Sequence, residues 1–437
     1  MEYRFKGLIL LSKKYKLPFS VQDGILRLDV STLPINLVEY VDVNGNLVFT
    51  DHPHFNEKHL EGVTDDGMII RLNMDSYFYD ASAYYQLGDD IKYICGYISS
   101  CVVLDKASFK EKIDKIGFYS YDIPSITDQS FSGGINKKQL DLLGVDRKLA
   151  SYKEKEHQYF VSIDFLHSKE FCGGQLIAVE SDEPLSQDMM EDIYWTMRKF
   201  FAFIYQRKET PLVDIALFEG DIVVGHLFVR NNIVVTQFIR KPKCLHIGQW
   251  RDRLSNLFQG LVDQKIYLRH LPETENERNI FTPNRFLCTV VGLESTLNTS
   301  GIKIEHSIQH LKADEIVRDK LSELFDKASG ETKKAFKRAL DHFNDNDFAG
   351  DINTAIDSNK EYIRNFYILD RIDSEGRSIG AYIAKQRNSF AHGDLETDLS
   401  KTHAELCIFM DLFILYIQLL QIKVSKEIAS QVIPQIM

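Results

Sequence analysis

The stretch Thr282–Leu297, TPNRFLCTVVGLESTL, decides the fold, because the patterning of the chain changes on it. Thr282-Pro283 is a helix start. The threonine hydroxyl can accept from the first unpaired backbone N–H groups, and proline at the first helical position forfeits no hydrogen bond. Phe286, Val290, Leu293 and Leu297 then share one face at helical spacing. The same period recurs beyond them. Val317, Leu321, Leu324 and Ala328 make one stripe, and Phe336, Ala339, Leu340 and Phe343 another. Ile379, Tyr382, Ile383 and Phe390 make a third, and Phe409, Met410, Phe413, Ile417, Leu420 and Val424 a last one. Several amphipathic helices joined by short loops predict an all-α bundle over residues 283–437.

Before this point the period is mostly two. VDVNGNLVF carries Asn44-Gly45 between apolar runs, a hairpin signal, and IKYICGYISSCVVL (91–104) reads as a strand pair. In HQYFVSIDFL, Tyr159, Val161, Ile163 and Phe165 alternate with Phe160, Ser162 and Asp164. DIVVGHLFVRNNIVVTQFIR predicts a hairpin turning at Asn231-Asn232. Two helices interrupt the strands. One is capped by Ser186, with Ile193, Met197, Phe200 and Ile204 on its apolar face; the other lies near Trp250, with Leu254, Leu257, Phe258 and Leu261. Polar stretches at 125–138 and 270–283 read as linkers. The predicted class is α+β: a β-rich region over 1–270, with a subdivision near 125–138, followed by the helical bundle over 283–437.

The 437 residues are 44% hydrophobic and 11% aromatic, which excludes a disordered chain and allows large cores. A net charge of −11 argues against a surface that clings to nucleic acid throughout, though not against a local basic groove. The six cysteines are scattered with no CxxC, so neither a disulfide framework nor a Cys-rich zinc site is expected, and a reducing, cytoplasmic location fits. The N-terminal stretch lacks a small-residue cleavage site, so no signal peptide is expected. Leu406–Val424 is long enough to cross a bilayer, but Asp411, Gln418 and Gln421 interrupt it and Lys423 closes it. A buried core or interface helix is expected there, not a membrane span.

No Walker-type loop, GxGxxG, GxSxG or HExxH is present. One segment departs from ordinary bundle surface: Gln386-Arg387-Asn388-Ser389-Phe390-Ala391-His392-Gly393, at the end of a predicted helix that Gly393 would terminate. Asn388 and His392 fall on one face at i,i+4 with Arg387 in the same arc, while Phe390 and Ala391 would point to the core. Arginine offers a permanent charge and a fork suited to phosphate oxygens. Histidine can pass a proton near neutrality, and an asparagine amide can orient it. The trio suits metal-free phosphodiester chemistry on RNA, where the 2′-OH is an internal nucleophile that DNA lacks. A helix cap or a surface pair would use the same residues, so the spacing alone leaves both open.

The segment RNSFAH, placed before the final long helix of an α-bundle, resembles the ribonuclease signature of the HEPN superfamily (higher eukaryotes and prokaryotes nucleotide-binding): an arginine, four to six residues, then histidine. Arg387, Asn388 and His392 match with a four-residue gap. The chain is similar more specifically to the ApeA-like HEPN proteins of bacterial anti-phage defence, in which a helix like NRFLCTVVGLEST opens the HEPN domain after a β-rich region of about this size. The segment EPLSQDMMEDIYWTMRKFFAFI also resembles that N-terminal domain.

The resemblance implies a metal-independent endoribonuclease without cofactor, acting as a homodimer on tRNA or other cellular RNA to abort infection. The N-terminal region would sense a phage-encoded trigger, position RNA or restrain the nuclease. It also implies a site role for Glu294 on the opening helix, beside Arg387 or His392; an ordinary surface glutamate or a structural ion pair is the alternative. Family members paired with a nucleotidyltransferase antitoxin carry a tyrosine two residues after the histidine. Asp394 stands here, which favours a stand-alone effector. A non-catalytic HEPN module that binds nucleotide or RNA, or scaffolds a partner, is the competing expectation.

From Pro283 onward there are 19 Lys+Arg against 23 Asp+Glu, yet Arg364, Arg371, Arg377, Lys385 and Arg387 accumulate before His392, and Lys333, Lys334, Lys337 and Arg338 form a second cluster. Such clusters can hold a phosphate backbone or simply solvate a helix face. A rival site is Asp51-His52-Pro53-His54 with His59, in which His52, His54 and His59 have ligand types suited to zinc; exposed loop histidines are the plainer account.

Overall fold

The computed structural model describes residues 4–11, 15–22, 24–29, 40–41, 47–48, 58–75, 93–120, 123–127, 147–167, 172–210, 212–230, 243–300, 308–343, 348–364, 369, 378–392 and 401–436. The chain divides into two compact units, residues 1–262 and 263–437. The first is β-rich and the second helical.

The first unit begins with a six-stranded barrel made of β1 (Arg4–Leu11), β2 (Tyr15–Gln22), β3 (Ile25–Asp29), β4 (His59–Thr64), β5 (Ile69–Met74) and β6 (Tyr93–Leu104). They pair antiparallel in the order β6-β3-β2-β1-β4-β5, and β5 pairs back onto β6 to close the ring. Alternation explains the closure. Every second residue, including Ile9, Leu17, Leu26, Leu28, Leu60 and Leu72, faces one buried core.

The β6 segment was expected to be a strand pair. Instead it is one continuous twelve-residue strand. Its first half pairs with β3 through Tyr93–Tyr97, and its second half pairs with β5 on one edge. On the other edge, Ser100–Leu104 pairs with β12 (Ile222–Val229) of the adjoining sheet. Length is the reason: a strand that must serve two sheets cannot turn midway.

Beyond β6 the sheet continues through β7 (Lys115–Tyr119), β8 (Lys148–Glu154), β9 (His157–His167), β10 (Cys172–Ser181), β11 (Asp214–Glu219) and β12, in the order β8-β9-β10-β7-β11-β12-β6. The predicted β9 alternation is realised, with Tyr159, Val161 and Ile163 buried and Phe160 41% exposed. The hairpin expected at Asn231-Asn232 lies outside the described residues. The turn that is described joins β11 to β12 through Gly220, whose φ of 62° favours glycine. Tyr40–Val41 pairs with Leu47–Val48, flanking Asn44-Gly45, which are outside the described residues. The 125–138 stretch begins inside a short helix, α1 (Ile123–Thr127), and its remainder is likewise outside them.

Helix α2 (Gln187–Tyr205) is capped by Ser186, which accepts from the Met189 N–H. It is joined to α3 (Leu254–Val262) and the sheet by stacked rings: Tyr159 on Tyr152 at 5.1 Å, Tyr152 on Phe258 at 5.4 Å and Phe258 on Phe200 at 4.9 Å. Its first turn is tied to the barrel. Glu191 Oε1 accepts from Asn73 at 2.6 Å and from Ser99 at 2.8 Å, and also from Ser100.

The second unit contains α4 (Pro283–Thr299), α5 (Ile308–Lys327), α6 (Gly330–Phe343), α7 (Phe348–Asp357), α8 (Ile379–Ala391), α9 (Lys401–Gln421) and α10 (Lys426–Val432). Thr282 caps α4, accepting from the Arg285 N–H at 3.1 Å, and Phe286, Val290, Leu293 and Leu297 are buried as patterned. The 270–283 stretch, expected as a linker, is packed into this unit. His270 and Leu271 are buried, the Tyr267 carbonyl accepts from Gln418 at 2.7 Å, and Arg278 donates to the Ile436 carbonyl at 3.4 Å. Two expected core stripes are not core. Val317 and Leu324 on α5 are 43% and 47% exposed, and Phe336 and Leu340 on α6 are only half-buried. These two helices pack chiefly on each other, so no third element covers the stripe among the described residues.

α9 is the one described helix long and apolar enough to cross a membrane, and 72% of its apolar window is buried inside the unit. The polar residues that interrupt it all find partners. Asp411 pairs with Arg285 at 2.6 Å, Gln418 with Tyr267, and Gln421 donates to Thr299 at 3.1 Å.

Helix α8 can approach α7 only because residue 380 is glycine. A Cβ there would stand 2.1 Å from the Ala349 carbonyl oxygen, and the Gly380 N–H donates to Asn353 Oδ1 at 2.9 Å. Gly380→Ala is therefore expected to destabilise the helical unit by about 1–3 kcal/mol, as overpacking does. Urea unfolding read by circular dichroism checks this; a variant matching the wild type would show that α8 can shift freely.

Candidate functional site

Ser378 caps α8, accepting from the Ala381 N–H at 3.3 Å, and the helix runs to Ala391. Its apolar side holds Ile379, Ile383 and Phe390 in the core. Ala391, expected to point inward with Phe390, is exposed. It lies in the last turn, where the helix has already passed the cluster that buries Phe390. His392 caps the C-terminus: its backbone N–H donates to the Asn388 carbonyl at 3.0 Å, and its φ of −90° and ψ of 4° leave the helical track. Gly393 and Asp394 lie outside the described residues.

Glu294 and Arg387 meet. Arg387 Nη2 donates to Glu294 Oε2 at 3.1 Å, joining α8 to α4, with the two side chains 37% and 36% exposed. The guanidinium carbon also lies 5.4 Å from the ring centre of Phe348, the first residue of α7. The arginine is thus held by a carboxylate and an aromatic face from two further helices, while part of it remains open to solvent. The Asn388 and His392 side chains are exposed one turn apart. Among the described residues, neither makes a side-chain hydrogen bond.

Sequence reasoning found Glu294 but missed Phe348 and His403. Phe348 falls at the start of its own helix, and nothing in its spacing relates it to Arg387. His403 on α9 is buried beneath the segment, with its ring centre 5.6 Å from Phe390, 6.2 Å from Phe286 and 6.4 Å from Tyr382. Burial lowers its pKa below 6.5. Further along the same helices, Arg285 meets Asp411, and Thr289 donates to the same carboxylate at 3.4 Å. Burial outweighs the arginine there and holds the Asp411 carboxyl up to about 6.

Of the expected RNA-binding residues, Arg364 is exposed in the turns after α7 and Lys385 is exposed on α8. Arg371 and Arg377 lie outside the described residues. Lys333, Lys334 and Lys337 are exposed on α6, where Lys334 pairs with Glu331 at 2.7 Å and Lys333 lies over the Phe325 ring. For the rival histidine site, His52 and His54 are outside the described residues. His59 is on β4, in the first unit, with its Nε2 3.8 Å from Asp188.

Protein-family models, curated proteins and solved structures were all compared with the chain, and none matches. The chemistry proposed for the site therefore stands on its residues.

The two buried titrating groups predict opposite pH effects. His403 is kept neutral in the folded state, so its contribution to stability is present above the unfolded value of about 6.5 and is lost as pH falls below it. Asp411 holds its proton more tightly when folded, so its contribution is present at low pH and is lost as pH rises from about 4 through about 6. Melting curves between pH 4.5 and 7.5 check both. Relative to wild type, His403→Phe is expected to be less sensitive to acid, and Asp411→Asn to lose less stability as pH rises.

Proposed function

We propose that the second unit is a metal-independent endoribonuclease of the HEPN type, acting through Arg387, Asn388 and His392. The observation that carries the proposal is the Arg387–Glu294 pair. It fixes a partly open guanidinium at the end of a helix whose next turn presents an exposed asparagine and an exposed histidine.

The chemistry follows from the groups. The 2′-oxygen of a ribose forms a bond to the adjacent phosphorus, and the bond from phosphorus to the 5′-oxygen breaks. A 2′,3′-cyclic phosphate and a free 5′-hydroxyl result. His392 moves the proton, either taking it from the 2′-OH or giving it to the leaving oxygen. Arg387 stabilises the charge that builds on the five-coordinate phosphorus, and Glu294 positions Arg387. Asn388 orients the imidazole or holds a phosphate oxygen. Exposed Arg364 and Lys385 would contact neighbouring phosphates, an electrostatic contribution that weakens with salt.

A second copy of the chain is the proposed partner. Cys288 and Val291 on α4 are exposed on the helix that carries Glu294, and Ile408 on the adjoining α9 is 42% exposed. Apolar groups gathered there favour an interface. The resemblance of Arg387, Asn388 and His392 to the HEPN signature implies an effector of anti-phage defence, with RNA, tRNA included, as substrate and a phage component as trigger.

Incubation of the purified chain with total RNA, followed by sequencing of the ends, tests the proposal. Wild type is expected to generate discrete ends bearing 2′,3′-cyclic phosphate, with or without chelator. His392→Ala and Arg387→Ala are each expected to lower the rate by roughly 10²–10³-fold, in the range of lost proton transfer or lost charge stabilisation. Cleavage that persists in a folded double variant would reject the assignment of these residues. Binding of RNA without any cleavage would point to a non-catalytic module.

A further inference from the structure

We propose that the first unit carries a divalent transition-metal site of the zinc class, formed by His157, Asp182 and Glu183. One nitrogen of the imidazole and one oxygen of each carboxylate lie within 4.8 Å of one another. His157 Nδ1 is already in contact with Glu183 Oε1. These positions are fixed by strands. His157 is the first residue of β9 and pairs with Glu154 across the turn from β8. Asp182 and Glu183 follow directly on β10, whose Ser181 is in register with Tyr159 of β9. Consecutive residues of a strand point to opposite faces, but the chain bends at 182–183, and both carboxylates turn toward the same histidine.

The charge balance is what separates this trio from an ordinary ion pair. A histidine bonded to one carboxylate would be complete as a pair, yet a second carboxylate shares the position. Among the described residues no lysine or arginine forms an ion pair with Asp182 or Glu183; Lys155, in the turn just before His157, is engaged by Asp192. Two carboxylates around one imidazole leave surplus negative charge at a point where donor atoms converge. A divalent ion neutralises it.

The donor set selects the ion. One imidazole nitrogen with two carboxylate oxygens suits zinc-class ions, whereas magnesium and calcium prefer oxygen alone. Bonds of about 2.0–2.2 Å put tetrahedral ligands roughly 3.3–3.6 Å apart, so small side-chain rotations complete the set. Asp182 and Glu183 are exposed and His157 is half-buried, which leaves a fourth position to water. The site is in the other unit from Arg387 and His392, and the proposal does not depend on their chemistry.

Isothermal titration of the full chain with ZnCl₂ tests it, using wild type, His157→Ala and the double variant Asp182→Asn/Glu183→Gln, each checked by circular dichroism. Because other histidines and Cys288 can also take up zinc, the difference between proteins is the readout. Both variants are expected to lose one equivalent of binding, or to bind at that step at least tenfold more weakly. Zinc is expected to raise the melting temperature of wild type more than that of either variant, and MgCl₂ to leave all three unchanged. Wild-type titration in the His157→Ala protein would overturn the proposal, since the imidazole is what distinguishes the site from exposed acids. So would wild-type titration in the double variant.

Discussion

Everything at the candidate site depends on where Phe390 is buried. Its ring meets Phe286 edge-on at 5.4 Å and lies 5.6 Å from His403. These three rings come from α8, α4 and α9, so one aromatic cluster fixes the relative positions of three helices. Arg387 is almost one turn before Phe390 on α8, and Glu294 is just over two turns after Phe286 on α4. The 3.1 Å contact between them is therefore a consequence of the packed rings beneath. The reverse cannot hold. An ion pair more than a third exposed contributes at most about 1 kcal/mol, whereas burying aromatic side chains contributes several times that.

The same division of labour appears in the first unit. Its barrel closes because β6 is long enough to pair with β3 at one end and with β5 and β12 at the other. Hydrophobic alternation supplies the stability, and polar contacts supply the register between layers. The carboxylate of Glu191 illustrates this, since its three donors, Asn73, Ser99 and Ser100, belong to β5 and β6 while Glu191 belongs to α2. A helix packed only through apolar residues could slide along the sheet; a half-buried acceptor with three fixed donors holds one position.

What the sequence disclosed follows from how local each signal is. Thr282-Pro283 and Ser186 are helix caps whose chemistry is complete within four residues, and both are realised. Glu294 was picked out by its place on a helix that resembles the opening helix of the HEPN family, more than by its own spacing near an apolar stripe. Signals that require a distant partner failed. Residues 91–104 looked like two strands because nothing nearby shows that β3 and β12 share one. The 270–283 stretch looked like a linker because its charges mask two anchors, His270 against α4 and Arg278, whose partner lies far along the chain. Val317 and Leu324 form a good helical stripe, but periodicity reports only that a face is apolar, not that another element covers it. Phe348 could not have been found at all, since its relation to Arg387 exists only once α7 and α8 are packed through Gly380.

An arginine meant to serve a phosphate has contradictory needs. It must be held in place before the ligand arrives, yet its charge must remain available. Deep burial with a carboxylate would satisfy the first need and defeat the second, because separating a buried pair costs several kcal/mol. Arg285 with Asp411, 10% and 22% exposed, is the more buried pair and binds α4 to α9. Arg387 differs in each respect. Its side chain is 37% exposed, its carboxylate partner is equally open, and its second contact is a ring face, which takes up no N–H donor of the guanidinium plane that a bidentate ligand would use. A phosphate approaching from solvent can share this arginine with Glu294 without breaking the core, because Phe390 and not the ion pair holds the helix in place. Of the two arginines that, among the described residues, join α4 to a neighbouring helix through a carboxylate, Arg387 is the one placed to change partners.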